Sequence, residues 1–144
     1  SIEFAVAVLG VADIIVCGHS DCGAMKGALN PSATKSLPHV HNWLDHARAA
    51  VEVVKAKGCA SCEEEELQAV TEQNVLLQLQ HLRTHPAVAS RLWNNEISLH
   101  GWVYEIESGQ VKCYDEASDA FVPLQERYAT LLSAASHKIE RMAS

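Results

Sequence analysis

The sequence predicts an α/β fold: a mainly parallel β-sheet flanked by helices, with an antiparallel edge strand. Three observations carry this. The stretch "ADIIVCG" has a continuously apolar, largely β-branched core, Ile14 to Cys17, which suits a strand buried on both faces beneath covering helices. Long segments with apolar residues three and four apart read as amphipathic helices around it. In "EISLHGWVYEIESGQVKCYD" two strand-like runs meet at Ser108-Gly109, a hairpin signal.

Taken in order, Ile2 and Phe4 to Leu9 form a short apolar helix closed by Gly10. The strand follows, and His19 falls just beyond its C-terminal end. "SDCGAMKGAL" begins a new helix, with Ser20 or Asp21 accepting hydrogen bonds from its free first-turn amides. Residues 30 to 38, with two prolines, mark a loop. Val40, Trp43, Leu44, Ala47, Val51 and Val54 predict one amphipathic helix from Val40 to Lys57. After "GCASCEEEE", a helix from about Glu65 to Thr84 turns Leu67, Val70, Val75, Leu79 and Leu82 inward, and Pro86 opens a third through Trp93. The final "LQERYATLLSAASHKIERM" is helical, with Leu124, Leu131, Leu132, Ile139 and Met142 on or near one side. The organisation predicted is a domain over residues 1–122 and a C-terminal helix over 123–144 that packs on its own domain or faces a partner.

With 144 residues, 48% hydrophobic and 6% aromatic, the chain has the size of one globular domain. It contains no run of roughly 18 apolar residues to span a bilayer and no signal-peptide pattern, so a soluble protein without a membrane partner is expected. A net charge of −7, from 11 basic against 18 acidic residues, offers no basic surface and argues against nucleic acid. The five cysteines, Cys17, Cys22, Cys59, Cys62 and Cys113, form an odd set that fits a reducing, cytoplasmic compartment better than a disulfide framework. The chain enters at Ser1 directly into a helical pattern and shows one strongly apolar strand besides the hairpin. Part of the N-terminus is therefore expected to be missing.

The stretch "IIVCGHSDCGAMKG" places His19 and Cys22 at H-x-x-C spacing where a strand gives way to a helix. Zinc favours imidazole nitrogen and thiolate sulfur, and open α/β sheets bind ligands beyond the carboxyl ends of their strands. Cys22 in a first helical turn would gain thiolate character from the dipole and free amides, and Gly18 and Gly23 admit close backbone approach. Two residues are half a site. Spacing alone leaves open a plain loop histidine and a small helix-start cysteine.

The segment "SIEFAVAVLGVADIIVCGHSDCGAMKG" resembles the central segment of β-class carbonic anhydrases, bacterial and cyanobacterial branch. The similarity continues through "LPHVHNWLDHA", "EQNVLLQLQHLRTHPAV" and "LHGWVYEIESG". It implies that His19 and Cys22 are two of three protein ligands to a catalytic zinc, and that the full-length protein is a lyase interconverting carbon dioxide and bicarbonate by zinc-bound hydroxide. Zinc lowers the pKa of a bound water from about 15.7 to about 7, which makes that chemistry available at neutral pH. The resemblance also implies that Phe4, with Gly23, lines the substrate pocket from a subunit boundary; the other reading of Phe4 is core packing. A homodimer or higher assembly is implied, with a shell or scaffold protein as partner if the enzyme resides in a carboxysome.

The sequence departs from the family at one decisive point. There the third ligand is a cysteine in a C-x-D-x-R motif whose Asp and Arg form the gate beside the metal. None of the five cysteines starts such a motif; Cys113-Tyr114-Asp115 matches its opening, but Glu116, Ala117 and Ser118 leave no arginine. That match is read as accidental. The motif is expected upstream of Ser1, and this chain by itself is expected to be inactive.

Two further readings remain open at the level of sequence. A non-catalytic relative could serve as a binding or assembly module, or an unrelated zinc protein could use Cys59 and Cys62, although their neighbours Glu63 to Glu66 would raise the thiol pKa. His39, His41, His46, His81, His85, His100 and His137 are too scattered to define a metal site. Tyr104 shares a strand face with Trp102; core packing is expected, while some relatives use an aromatic near this position in an inhibitory bicarbonate site.

Overall fold

The computed structural model describes residues 1–58 and 61–129. The elements are α1 (Ile2–Ala7), β1 (Asp13–His19), α2 (Gly23–Leu29), α3 (Pro38–Leu44), α4 (Arg48–Lys57), α5 (Glu63–Thr84), α6 (Pro86–Trp93), β2 (Ser98–Tyr104), β3 (Val111–Asp115), β4 (Ala120–Pro123) and α7 (Leu124–Arg127). The strands form one sheet in the order β1-β2-β3-β4. β1 and β2 pair in parallel from Asp13↔Ser98 to His19↔Tyr104, and the two remaining pairs are antiparallel. The α/β class with flanking helices is as the sequence predicts, and the sheet is open and mixed.

α5 lies across one face of β1 and β2. Gly18 and Gly101 both face it, against Thr71, Val75 and Leu79. Two apolar clusters flank this helix-on-sheet layer. Met25, Ala47, Val51, Val54 and Val70 join α2, α4 and α5, with Cys22 packed against them. Val6, Val88 and Ile97 join α1 and α6 beside Ile14 and Leu99 of the sheet. Arg91 ties the second cluster down, donating to the Val6 carbonyl at 2.7 Å and to Glu96 at 3.2 Å.

Several local expectations are corrected. β1 is not buried on both faces: exposed and half-buried residues alternate along it, with Ile15 46% exposed. Its half-buried residues Ile14, Val16 and Gly18 share one face, where Ile14 meets the α1–α6 cluster and Gly18 meets α5, and among the described residues no strand pairs with its outer edge. The single helix foreseen from Val40 to Lys57 is two, because Asp45–Ala47 forms a 3-10 turn. That turn changes the buried phase: Leu44, Ala47, Ala50, Val51 and Val54 are inside, while Val40 and Trp43 are exposed. The cap of α2 is Cys22 rather than Ser20 or Asp21, with no side-chain cap bond. β4 was not foreseen; its short "AFVP" lacks the length of a clear strand signal. Of the C-terminal helix, α7 is seen, while Leu131, Leu132, His137, Ile139 and Met142 lie outside the described residues.

At the β3–β4 turn, the Tyr114 hydroxyl donates to Asp119 Oδ1 at 2.6 Å, and this bond, with burial adding, pushes the tyrosine pKa up to about 12. A raised folded-state pKa means the bond stabilises below the ordinary value of 10 and is lost as pH rises through 12. Asp119→Asn should therefore bring the Tyr114 titration down toward 10, read as the phenolate absorbance difference between each protein and its Tyr114→Phe partner. Asn tolerates the left-handed φ of 52° at this position, so the swap adds no backbone strain. An unmoved titration would show that Asp119 does not set it.

Candidate metal half-site

His19 is the last residue of β1 and Cys22 the N-cap of α2, so the H-x-x-C pair spans a strand-to-helix turn. The turn is made by Asp21, whose φ of 54° is left-handed. Lys26, one turn into α2, pairs with the Asp21 carboxylate, and its hydrogen bond and charge hold that carboxyl below its usual range. Cys22 is half-buried, with its carbonyl accepting from the Lys26 N–H at 3.0 Å and its side chain against the Met25–Val70 cluster.

His19 is exposed, and its Nδ1 lies 2.8 Å from the Ser20 carbonyl oxygen. A carbonyl only accepts, so in this geometry Nδ1 is the donor, which leaves Nε2 as the ring nitrogen able to ligate a metal. That is how metal-ligating histidines are commonly oriented, with the second ring nitrogen held by a backbone carbonyl or carboxylate. Ser20 is itself fixed to the sheet. Its N–H donates to the Tyr104 carbonyl at 2.9 Å and its Oγ accepts from the Ile106 N–H at 2.9 Å.

The donor set, one imidazole nitrogen and one thiol, fits half of a zinc site. Among the described residues no group of three or more His, Cys, Asp or Glu side chains is placed to hold a metal, so neither Cys62 nor any other described side chain completes it. Cys62 is an exposed N-cap of α5, ahead of Glu63 to Glu66 in the first helical turn, and Cys59 lies outside the described residues. Cys113 is buried at 1% exposure on β3, where burial pushes its thiol pKa up; its local C-x-D resemblance is not a site.

The remaining candidates divide. Phe4 is 58% exposed on α1, which excludes its reading as core. Around Gly23 a Cβ would meet open space. Tyr104 is 41% exposed and so is not the core residue foreseen. Sequence reasoning missed His100, whose Nδ1 lies 3.1 Å from the Tyr128 hydroxyl and whose Nε2 lies 2.8 Å from Asp13, joining β1, β2 and the end of α7. It also missed the part played by Ser20. Residues 86 positions apart meet at its hydroxyl, and no local pattern announces such a contact.

Fold and turn together define an α/β protein with a histidine and a cysteine at the carboxyl end of a parallel strand, where open α/β sheets bind ligands. A family model described as carbonic anhydrase matches residues 1–111. The chain is 52% identical over 126 residues to a carbonic anhydrase of Pseudomonas aeruginosa, covering 88% of this chain and 57% of that one. It is 42% identical over 132 residues to a carbonic anhydrase of Synechocystis, covering 91% and 48%. Among solved structures, the β-carbonic anhydrase CcaA superposes with a TM-score of 0.82 at 42% identity, covering 86% of this chain and 56% of that one. A structure of tetrameric β-carbonic anhydrases from Sordaria macrospora gives 0.70 at 26%, covering 78% and 56%. The chain belongs to the carbonic anhydrase family, with the β-class fold. It spans about half the length of the curated relatives it matches.

Proposed function

We propose that the whole protein is a zinc-dependent carbonic anhydrase, and that this chain supplies two of the metal's ligands, His19 and Cys22. The observation that carries the reading is the turn itself: a histidine at the end of β1 with Nδ1 engaged by the Ser20 carbonyl, and a cysteine at the start of α2. Two donors require a third from elsewhere in the protein, which agrees with a chain spanning about half of its relatives.

When bound, zinc supplies the Lewis acidity that lowers the pKa of a coordinated water from about 15.7 to about 7. The chain's own residues do the positioning. Ser20 holds the His19 tautomer through its carbonyl, and the half-buried Cys22 anchors its sulfur on the α2–α4–α5 cluster. Carbon dioxide carries no charge to clamp, so a small apolar pocket suffices. Phe4 and Gly23 are proposed to line it, Phe4 from across a boundary between identical subunits, in keeping with its exposure on α1. An assembly of two or more copies in the cytoplasm, free or within a carboxysome-like compartment, completes the proposal.

The test measures zinc content and stopped-flow carbon dioxide hydration on the whole protein, before and after chelation. One zinc per chain, with activity lost on chelation and restored by zinc, is the expected result. A metal-free protein of full activity, or a zinc-loaded protein without hydration, would reject it.

A further inference from the structure

The parallel ladder of β1 and β2 ends at His19↔Tyr104, yet the two strands stay joined one residue further. Ser20 donates its N–H to Tyr104, and its hydroxyl accepts from Ile106. The same residue presents the carbonyl that engages His19 Nδ1 at 2.8 Å. Immediately afterwards the backbone turns left-handed at Asp21 to reach Cys22. Ser20 is thus where the His19 ring, the end of β1 and the chain leaving β2 are held to one another.

We propose that Ser20 is a positioning residue for the metal half-site, its hydroxyl fixing the carbonyl that sets the tautomer and ring orientation of His19. This rests on the zinc reading above. Ser20 does not itself coordinate the metal. Its effect passes through His19, as second-layer partners of metal-ligating histidines generally do. Removing the hydroxyl costs little in folding, because Ile106 is 53% exposed and water can take its N–H, but water does not restrain the Ser20 carbonyl. Affinity for the metal should therefore fall where stability hardly changes.

The experiment uses the whole protein with Ser20→Ala, Ser20→Thr, Ser108→Ala and Cys22→Ser. Ser108→Ala deletes a comparable serine-to-backbone bond, Gln110 N–H to Ser108 Oγ at 3.3 Å, within the hairpin that follows β2. Zinc affinity is measured by competition with a chromogenic chelator, ligand geometry by the visible bands of the cobalt(II)-substituted protein, and folding by thermal melting. Ser20→Ala should weaken zinc binding about 10- to 100-fold and shift the cobalt bands. Ser20→Thr, which keeps an acceptor, should restore both, and Ser108→Ala should leave both at wild-type values. Wild-type zinc affinity and cobalt spectrum in Ser20→Ala overturn the proposal, as does an equal loss in Ser108→Ala. If Cys22→Ser also retains zinc, it is the zinc reading that fails.

Discussion

Cys22→Ser in the whole protein should release the zinc and reduce carbon dioxide hydration to the uncatalysed background. Serine is close in size, but a neutral hydroxyl is a far poorer zinc donor than a thiolate. The half-site has two donors and no described neighbour to replace a lost one. In the proposed site, loss of the metal would withdraw the drop of about 8 to 9 units that zinc brings to the pKa of a bound water, so the expected fall in kcat/KM is far larger than any repositioning effect. The fold should tolerate the change, because Cys22 lies at the margin of the Met25–Val70 cluster and α2 draws no side-chain cap from it. Metal analysis, stopped-flow hydration and thermal melting on one preparation separate the two effects. Cys62→Ser, at an exposed N-cap, is the matched control and should leave zinc and activity unchanged. Retention of zinc by Cys22→Ser, or its loss from Cys62→Ser, would move the site elsewhere.

What could be read from the sequence follows from how local each feature is. α5 and α6 were legible because Val70, Val75, Leu79 and Leu82 repeat at helical spacing and Pro86 marks a start. The hairpin was legible because Gly109, with φ of 69°, supplies the conformation its turn requires. β1 was legible as a strand but not in its exposure. Ile15 and Cys17 look as apolar as Ile14 and Val16, and only the sheet's neighbours decide which face is covered. The same limit applied to the site: H-x-x-C at a strand's end was visible in a run of four residues, but the Ser20 bonds and the Asp13–His100–Tyr128 chain join residues up to 87 positions apart. Trp43 misled for the opposite reason: its spacing fits the helix period, yet the 3-10 turn after Leu44 leaves it 72% exposed.

Gly18→Ala should destabilise the protein by about 1–3 kcal/mol and weaken zinc binding at the same time. Gly18 has no left-handed φ, so the cost is steric. A Cβ there would stand 3.0 Å from both Thr71 Cγ2 and Val75 Cγ2, inside the 3.5–4.0 Å or so at which carbon atoms pack comfortably. Neither neighbour can swing aside easily. Both are β-branched and stiff on a helix, Thr71 is tied by its hydroxyl to the Leu67 carbonyl at 2.8 Å, and Val75 also closes on Gly101 from its other methyl. The strain must therefore move β1 or α5. Any shift of β1 is carried into His19, the next residue, and so into the metal half-site. Val75→Ala removes one of the two clashing methyls at the cost of a small cavity, so the pair of substitutions should not add. The loss caused by Gly18→Ala should be smaller in the Val75→Ala background, with a coupling of about 0.5–3 kcal/mol. Denaturant unfolding of the four proteins of this cycle, with zinc affinity measured alongside, is the check. Strict additivity, or a Gly18→Ala protein as stable as the parent, would mean that α5 and β1 are not held at the distance these two glycines set.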